Sequence, residues 1–244
     1  SSGDYIDSNY VEMDHRHQPG YEVYSINAYR SHVTRNTLKN NSKSSGGSQY
    51  FIYANHGSSD SLLIQGNALT LEHWGGNTWE YGLYTDGCQS CVYDISNNTI
   101  NINSSTIRHP VALAGKTYFY NNTITSTNDQ QGDMVHASGS HTHTIHSNVF
   151  KMAGSRDDDR VLNVNQNATA NIYKNMFITQ SQPGIYIAGG VSGSVYNNTF
   201  VSTSTGAYGL NVNGSGVKIQ NNNITGFTAS IINDNSTVNF NINN

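Results

Sequence analysis

Four histidines, His136, His141, His143 and His146, crowd one short stretch of the chain, and Arg108, His109 and Lys116 precede them closely. Imidazole accepts a proton near neutrality, and Arg and Lys hold a fixed positive charge. A base, a cation and a hydroxyl together suit β-elimination on an acidic sugar. The cation neutralises the carboxylate, the base removes the neighbouring proton, and the hydroxyl protonates the departing oxygen. On this reading His136 is the base, Tyr84 the acid, Arg108 the carboxylate clamp and Lys116 a further cation. His141 and His143 are spaced to share one face of a strand, so with His136 they form an alternative transition-metal set. The competing reading makes all these histidines solvated fillers of strands and turns.

Three other groups carry potential chemistry. Asp157, Asp158 and Asp159 offer oxygen ligands to calcium, although Arg156 and Arg160 flank the run and no EF-hand spacing is present. Trp74, Trp79, Tyr81 and Tyr84 form an aromatic group whose rings either stack on sugar faces or pack in the core. Asp86 has no acidic partner on neighbouring strands for two-carboxylate hydrolysis, which favours elimination over hydrolysis. Cys88 and Cys91 form a C-x-x-C without a thioredoxin-like context or a second pair, so they are read as buried or locally bridged structural cysteines.

The elements that position these residues follow from composition and repetition. The 244 residues are 35% hydrophobic and only 11% charged, with 23 Gly and 16 Tyr, and no run has helical periodicity. A net charge of −4 and the lack of a basic cluster exclude a nucleic-acid partner. No apolar stretch is long enough for a helical membrane span. An apolar-x-x-Asn-x-apolar unit recurs as Val33–Leu38, Ile64–Leu69, Ile95–Ile100, Phe119–Ile124, Ile145–Phe150, Ile172–Phe177, Val195–Phe200 and Ile219–Ile224. A degenerate ninth copy lies around Phe240. The asparagines recur every 23 to 31 residues, one solenoid coil per repeat. Asn tolerates left-handed corners, and its amide bonds to equivalents above and below. Upstream strands alternate, with Leu162, Val164, Ile185, Ile187, Leu210 and Val212 inward. Outward positions read Tyr53 and Asn55, Tyr84 and Asp86, Ala112 and Ala114, His136 and Ser138, then Asn163 and Asn165. Strands about 4.8 Å apart would let Tyr84, Asp86 and His136 meet one substrate.

These observations predict an all-β, single-domain right-handed parallel β-helix of about nine coils with an internal Asn ladder. Residues 21–244 form the helix, and 1–20 an irregular N-terminal segment or cap. A β-sandwich of short strands is the structural alternative. The repeats GIYIAGGVSGSVYNNTF and YGLNVNGSGVKIQNNNI resemble those of pectate-lyase-like proteins, a superfamily of polysaccharide lyases, hydrolases, tailspikes and adhesins.

The resemblance implies an extracellular or cell-surface protein that binds a polysaccharide or surface glycan in a groove formed by outward strand positions and loops. Candidate contacts there are Tyr53, Asp86, Trp74, Trp79, Asn163, Asn165, His141 and His143. Lyases of this kind use calcium to bridge acidic substrate, so calcium is an optional ligand and no cofactor is required. A non-catalytic adhesin or stalk segment of a larger protein is the second reading, and a tailspike module the third. Coil ends without obvious capping helices fit a larger chain or an oligomer.

Overall fold

In the computed structural model, the described residues are 4–13, 23–42, 48–55, 61–73, 79–88, 90–103, 109–127, 132–154, 159–233 and 239–241. They form strands and turns with no helix, wound into a parallel β-solenoid of about 7 turns. Each turn contributes one strand to each of three faces. The first face is a ten-stranded sheet running from Asp4–Asp7 through Val92–Ser96, Lys116–Tyr120 and Thr142–His146 to Asn239–Asn241. The second face carries Thr99–Ile102, Thr123–Ser126, Val149–Met152 and Met176–Thr179. The third carries Ser48–Asn55, Trp79–Thr85, Val111–Ala114, Val135–Ser138, Leu162–Val164 and Ile185–Ile187. The long strand Thr199–Val212 runs along both the second and third faces and joins them into one sheet.

The turns number about seven, slightly fewer than the nine expected. In Thr199–Val212 one strand runs on where other coils have two separate ones. The N-terminal segment also departs from expectation. Instead of being wholly irregular, Asp4–Asp7 pairs in parallel with Ser31–Thr34, and Tyr10–Met13 with Thr37–Asn40. The sequence already contains the unit there, as Ile6-x-x-Asn9-x-Val11.

Register holds the apolar positions in vertical columns. Val33, Ile64, Ile95, Phe119, Ile145, Ile172, Val195 and Ile219 align on the first face. On the second face, Phe150, Phe177 and Phe200 stack at centroid distances of 4.9 and 4.6 Å and are fully buried. Every ring stacks on its copy one coil away, so the core is continuous where no single coil could close it.

The asparagine ladder is continuous from Asn9 through Asn36, Asn67, Asn98, Asn122, Asn148, Asn175 and Asn198 to Asn222. Each Oδ1 accepts from the backbone N–H and Nδ2 of the preceding Asn, at 2.9 Å on both bonds between Asn98 and Asn122. Each Nδ2 from Asn36 onward also donates to a carbonyl further down, as Asn122 does to Ile95 at 3.0 Å. The left-handed residue is not the ladder asparagine but the one before it: Arg35, Asn97, Asn121, Ser147, Lys174, Asn197 and Asn221 all have φ between 51° and 57°. Gly66 fills the same place at 68°. The two tasks assigned to one Asn are thus divided between neighbours, one turning the chain and one sealing the corner.

Candidate functional site

Polar chemistry concentrates on the third face, where a four-residue pattern recurs. Two adjacent core residues are flanked on each side by one that joins a row outside the core, in Tyr50-Phe51-Ile52-Tyr53, Tyr81-Gly82-Leu83-Tyr84, His109-Pro110-Val111-Ala112, Asp133-Met134-Val135-His136 and Arg160-Val161-Leu162-Asn163. The rows are partly exposed at Tyr53, Tyr81, Tyr84, His109, His136 and Arg160 and covered at Tyr50, Ala112, Asp133 and Asn163. Simple alternation fails at the buried pair. Residues three apart therefore meet on the same side. Stacking coils converts the pattern into two neighbouring rows along the helix axis.

The first half of these rows is aromatic. Tyr24, Tyr50 and Tyr81 stack at 5.0 Å, Tyr53 stacks on Tyr84 at 5.3 Å, and the two columns meet edge to face. Burial, with smaller contributions from Tyr50 and Tyr84, pushes the Tyr81 phenol up to about 12. The second half is ionic. Asp133 is 5% exposed and accepts from Asn163 Nδ2 at 2.7 Å. His136 Nδ1 stands 3.4 Å from the same Asp133 oxygen, and Arg160 lies 3.5 Å from the other. Burial works to raise the Asp133 carboxyl, but contacts with His136 and Asn163, then the charges of Arg160 and His109, hold it below the ordinary carboxylate value.

Outer partners fix these groups. Asn165 Nδ2 lies 3.2 Å from His136 Nε2, the His109 ring leans on the His136 ring at 4.8 Å, and Arg160 sits over Tyr186 at 4.5 Å. Arg160 also donates to Tyr208, and Asn213 donates to the Tyr186 hydroxyl. A neutral His136 ring that accepts from Asn165 Nδ2 at Nε2 carries its N–H at Nδ1, toward Asp133. An ordinary carboxylate–imidazole pair thus borders a partly exposed row.

The structure brings together His136, Asn163 and Asn165 from the expected set and places Tyr53 and Tyr84 in the same column. Ala112 separates Tyr84 from His136, so those two lie about 10 Å apart, two strand spacings. Asp86 continues the outward face, but its Oδ1 accepts from the neighbouring Gly87 N–H at 2.7 Å. His143 is corrected: it is fully buried, with Nε2 3.1 Å from the Ser138 carbonyl. Burial drives its pKa down to about 4, against the raising effect of the Ser138 carbonyl. It cannot share an outward face with His141, whose ring lies against Gly139. The set of His136, His141 and His143 is therefore not a metal site.

Lys116 is also corrected, since it begins a strand of the first face and lies over Tyr118 rather than in the cluster. His146 belongs to an outer stack with Tyr120 and Tyr173 on that face. Asp159 is 3% exposed, which does not suit an open calcium loop, and Asp157 and Asp158 lie outside the described residues. So do Trp74, Arg108 and the side chain of Trp79. Cys88 and Cys91 form a disulfide, in line with a local bridge.

Sequence reading missed Asp133, Arg160, Tyr186 and Tyr208 as partners in the site, and it placed His109 in the ionisable cluster without giving it a role. The outward-inward-inward-outward pattern was the available signal, because it alone puts Asp133 beside His136. On the second face, a shallow recess of about 390 Å³ is lined by Thr125, Lys151, Ile178, Gln180 and Thr203, away from this cluster and without its titratable groups. Compared with family models, with curated proteins and with solved structures, the chain matches none.

Proposed function

We propose that this β-helix is an extracellular carbohydrate-active protein that lays a linear acidic polysaccharide along the third face and cleaves it by β-elimination. The observation that carries the reading is the pair of continuous outward rows, aromatic at Tyr53 and Tyr84 and ionic at His136 and Arg160. Repeats about 4.8 Å apart match an extended polymer better than a compact ligand. Partly wet tyrosines offer apolar ring surface and a polar tip to sugars. Arg160 supplies the cation for a sugar carboxylate, and His136 Nε2 becomes the base when Asn165 Nδ2 gives up its hydrogen bond to it. Asp133 holds the other ring nitrogen, and the departing oxygen takes its proton from solvent. The pectate-lyase-like look of the repeats supports the same assignment, and the Cys88–Cys91 bridge suits an oxidising compartment.

The test is a screen of the purified chain against acidic and neutral polysaccharides, recording unsaturated-product absorbance and reducing ends together. Both rise for a lyase, and His136→Ala lowers the rate about 10²- to 10⁴-fold with folding intact. Reducing ends alone would replace elimination with hydrolysis. One observation favours a non-catalytic adhesin: Asp133 already engages Arg160, His136 and Asn163, a network that stabilises the face without substrate. Glycan binding unchanged by His136→Ala, with no cleavage on any polymer, would select that second reading.

A further inference from the structure

We infer that His109, Asp133 and His136 form a binding site for a divalent transition metal, zinc foremost. One potential ligand atom from each lies within 4.8 Å of the others. Two imidazole nitrogens and a carboxylate oxygen make a three-ligand set that leaves a fourth position open. Ligand bonds of about 2.0–2.2 Å in a tetrahedron place neighbouring ligand atoms about 3.4 Å apart. The His136 Nδ1 to Asp133 Oδ2 distance is 3.4 Å, long for a hydrogen bond and suited to that edge.

The fold explains the convergence. Asp133 and His136 come together across the buried pair Met134–Val135. His109 arrives from the preceding coil, where the small side chain of Ala112 leaves room for its ring beside His136. The partners around the set also fit an ion. Asn163 fixes the carboxylate at 2.7 Å, as outer partners of metal ligands do. When Nδ1 of His136 binds metal, its proton moves to Nε2, which then requires an acceptor. Asn165 stands 3.2 Å from Nε2, and its Oδ1 has no hydrogen-bond partner among the described residues. Turning that amide over supplies the acceptor. Arg160 opposes a second positive charge, but its contact with Asp133 is 3.5 Å, while Tyr186 and Tyr208 hold the guanidinium independently. Charge balance then draws an anion, such as hydroxide or a carboxylate, to the open position.

This inference does not rest on the polysaccharide reading, and metal uptake is measured without sugar. At His136 the two roles belong to different states of the chain: the metal-free imidazole carries its lone pair on Nε2, whereas one that binds metal through Nδ1 carries its proton there and has no lone pair for a base. The experiment is calorimetric titration of the chelator-stripped full chain with zinc chloride, manganese chloride and calcium chloride. One zinc per chain is expected, with a raised melting temperature and no comparable calcium binding. Asp133→Asn and His109→Ala should each weaken zinc by at least about tenfold, while His141→Ala leaves it unchanged. In the unaltered chain, zinc should shift the imidazole resonances of His109 and His136 and spare buried His143, a reading that survives if a variant fails to fold. No zinc uptake, calcium preferred over zinc, or zinc binding untouched in both ligand variants would overturn the site. Failure of the polysaccharide screen would leave these results as they stand.

Discussion

At the scale of single residues, the ladder asparagines and His143 show how one side chain sets the behaviour of a coil. Asn122 Oδ1 accepts from the backbone and side chain of Asn98, and its Nδ2 donates to Ile95 O and Asn148 Oδ1. Asn122→Ala strands these buried groups in a dry core and should cost about 2–4 kcal/mol, read as a lowered denaturation midpoint. Lys174 holds φ 56°, a conformation that costs a branched-free L-residue about 1 kcal/mol and that Asn tolerates better. Lys174→Asn should raise the midpoint by up to about that amount. His143 predicts a pH dependence. Burial holds its folded pKa at about 4, below the ordinary 6.5, so the unfolded chain binds the proton first as pH falls. The stability is whole above about pH 6.5 and is lost progressively toward pH 4, on the order of 3 kcal/mol. Asp133, also lowered, adds its loss only below the ordinary carboxylate range. Chemical denaturation between pH 7 and 4 should show the His143 slope, and His143→Leu should flatten it whatever its effect on absolute stability.

Elements were legible where a pattern repeats and obscure where it breaks. The apolar-x-x-Asn-x-apolar unit carried both the corner and its two flanking strands, so the first and second faces follow from it with their registers. Inward Leu162, Ile185 and Leu210 were readable from alternation and are buried. Alternation misled at Met134–Val135 and Val161–Leu162, where two neighbours point inward, and this hid Asp133 and Arg160 from the site. His143 was misassigned for a related reason: the strand Thr142–His146 alternates correctly, but its inward position holds an imidazole where an apolar residue would be usual. The core element most dependent on stacking is the column Phe150, Phe177 and Phe200, in which Phe177 touches a ring on each side. Phe177→Ala should cost about 3–5 kcal/mol, while the equivalent change at exposed Met176 should cost little, a contrast measured by paired unfolding curves.

For the whole molecule, every strand pairs only with the coil above and the coil below, so stability is a sum of local terms and interfaces between neighbours. Parallel pairing runs through all three faces, and the Asn ladder and the Phe column tie the same neighbours together. The candidate site depends on this arrangement, since His109, Asp133 and Arg160 come from three successive coils and meet only if each coil keeps register with the next. A local defect should then spread by distance along the axis, unlike in a globular domain with one closed core. Asn122→Ala, examined by hydrogen exchange, should increase exchange most in Thr123–Ser126 and in the adjoining strands Thr99–Ile102 and Val149–Met152, with the effect fading toward Thr169–Tyr173 and Ser61–Gln65. Because Asp133 and His136 lie in the coil that follows, the same substitution should weaken any ligand held there more than an equal destabilisation at Asn198 does. Uniform acceleration across every strand would mean that the solenoid opens as one unit, and the coupling between coils would then exceed the stability of any single coil.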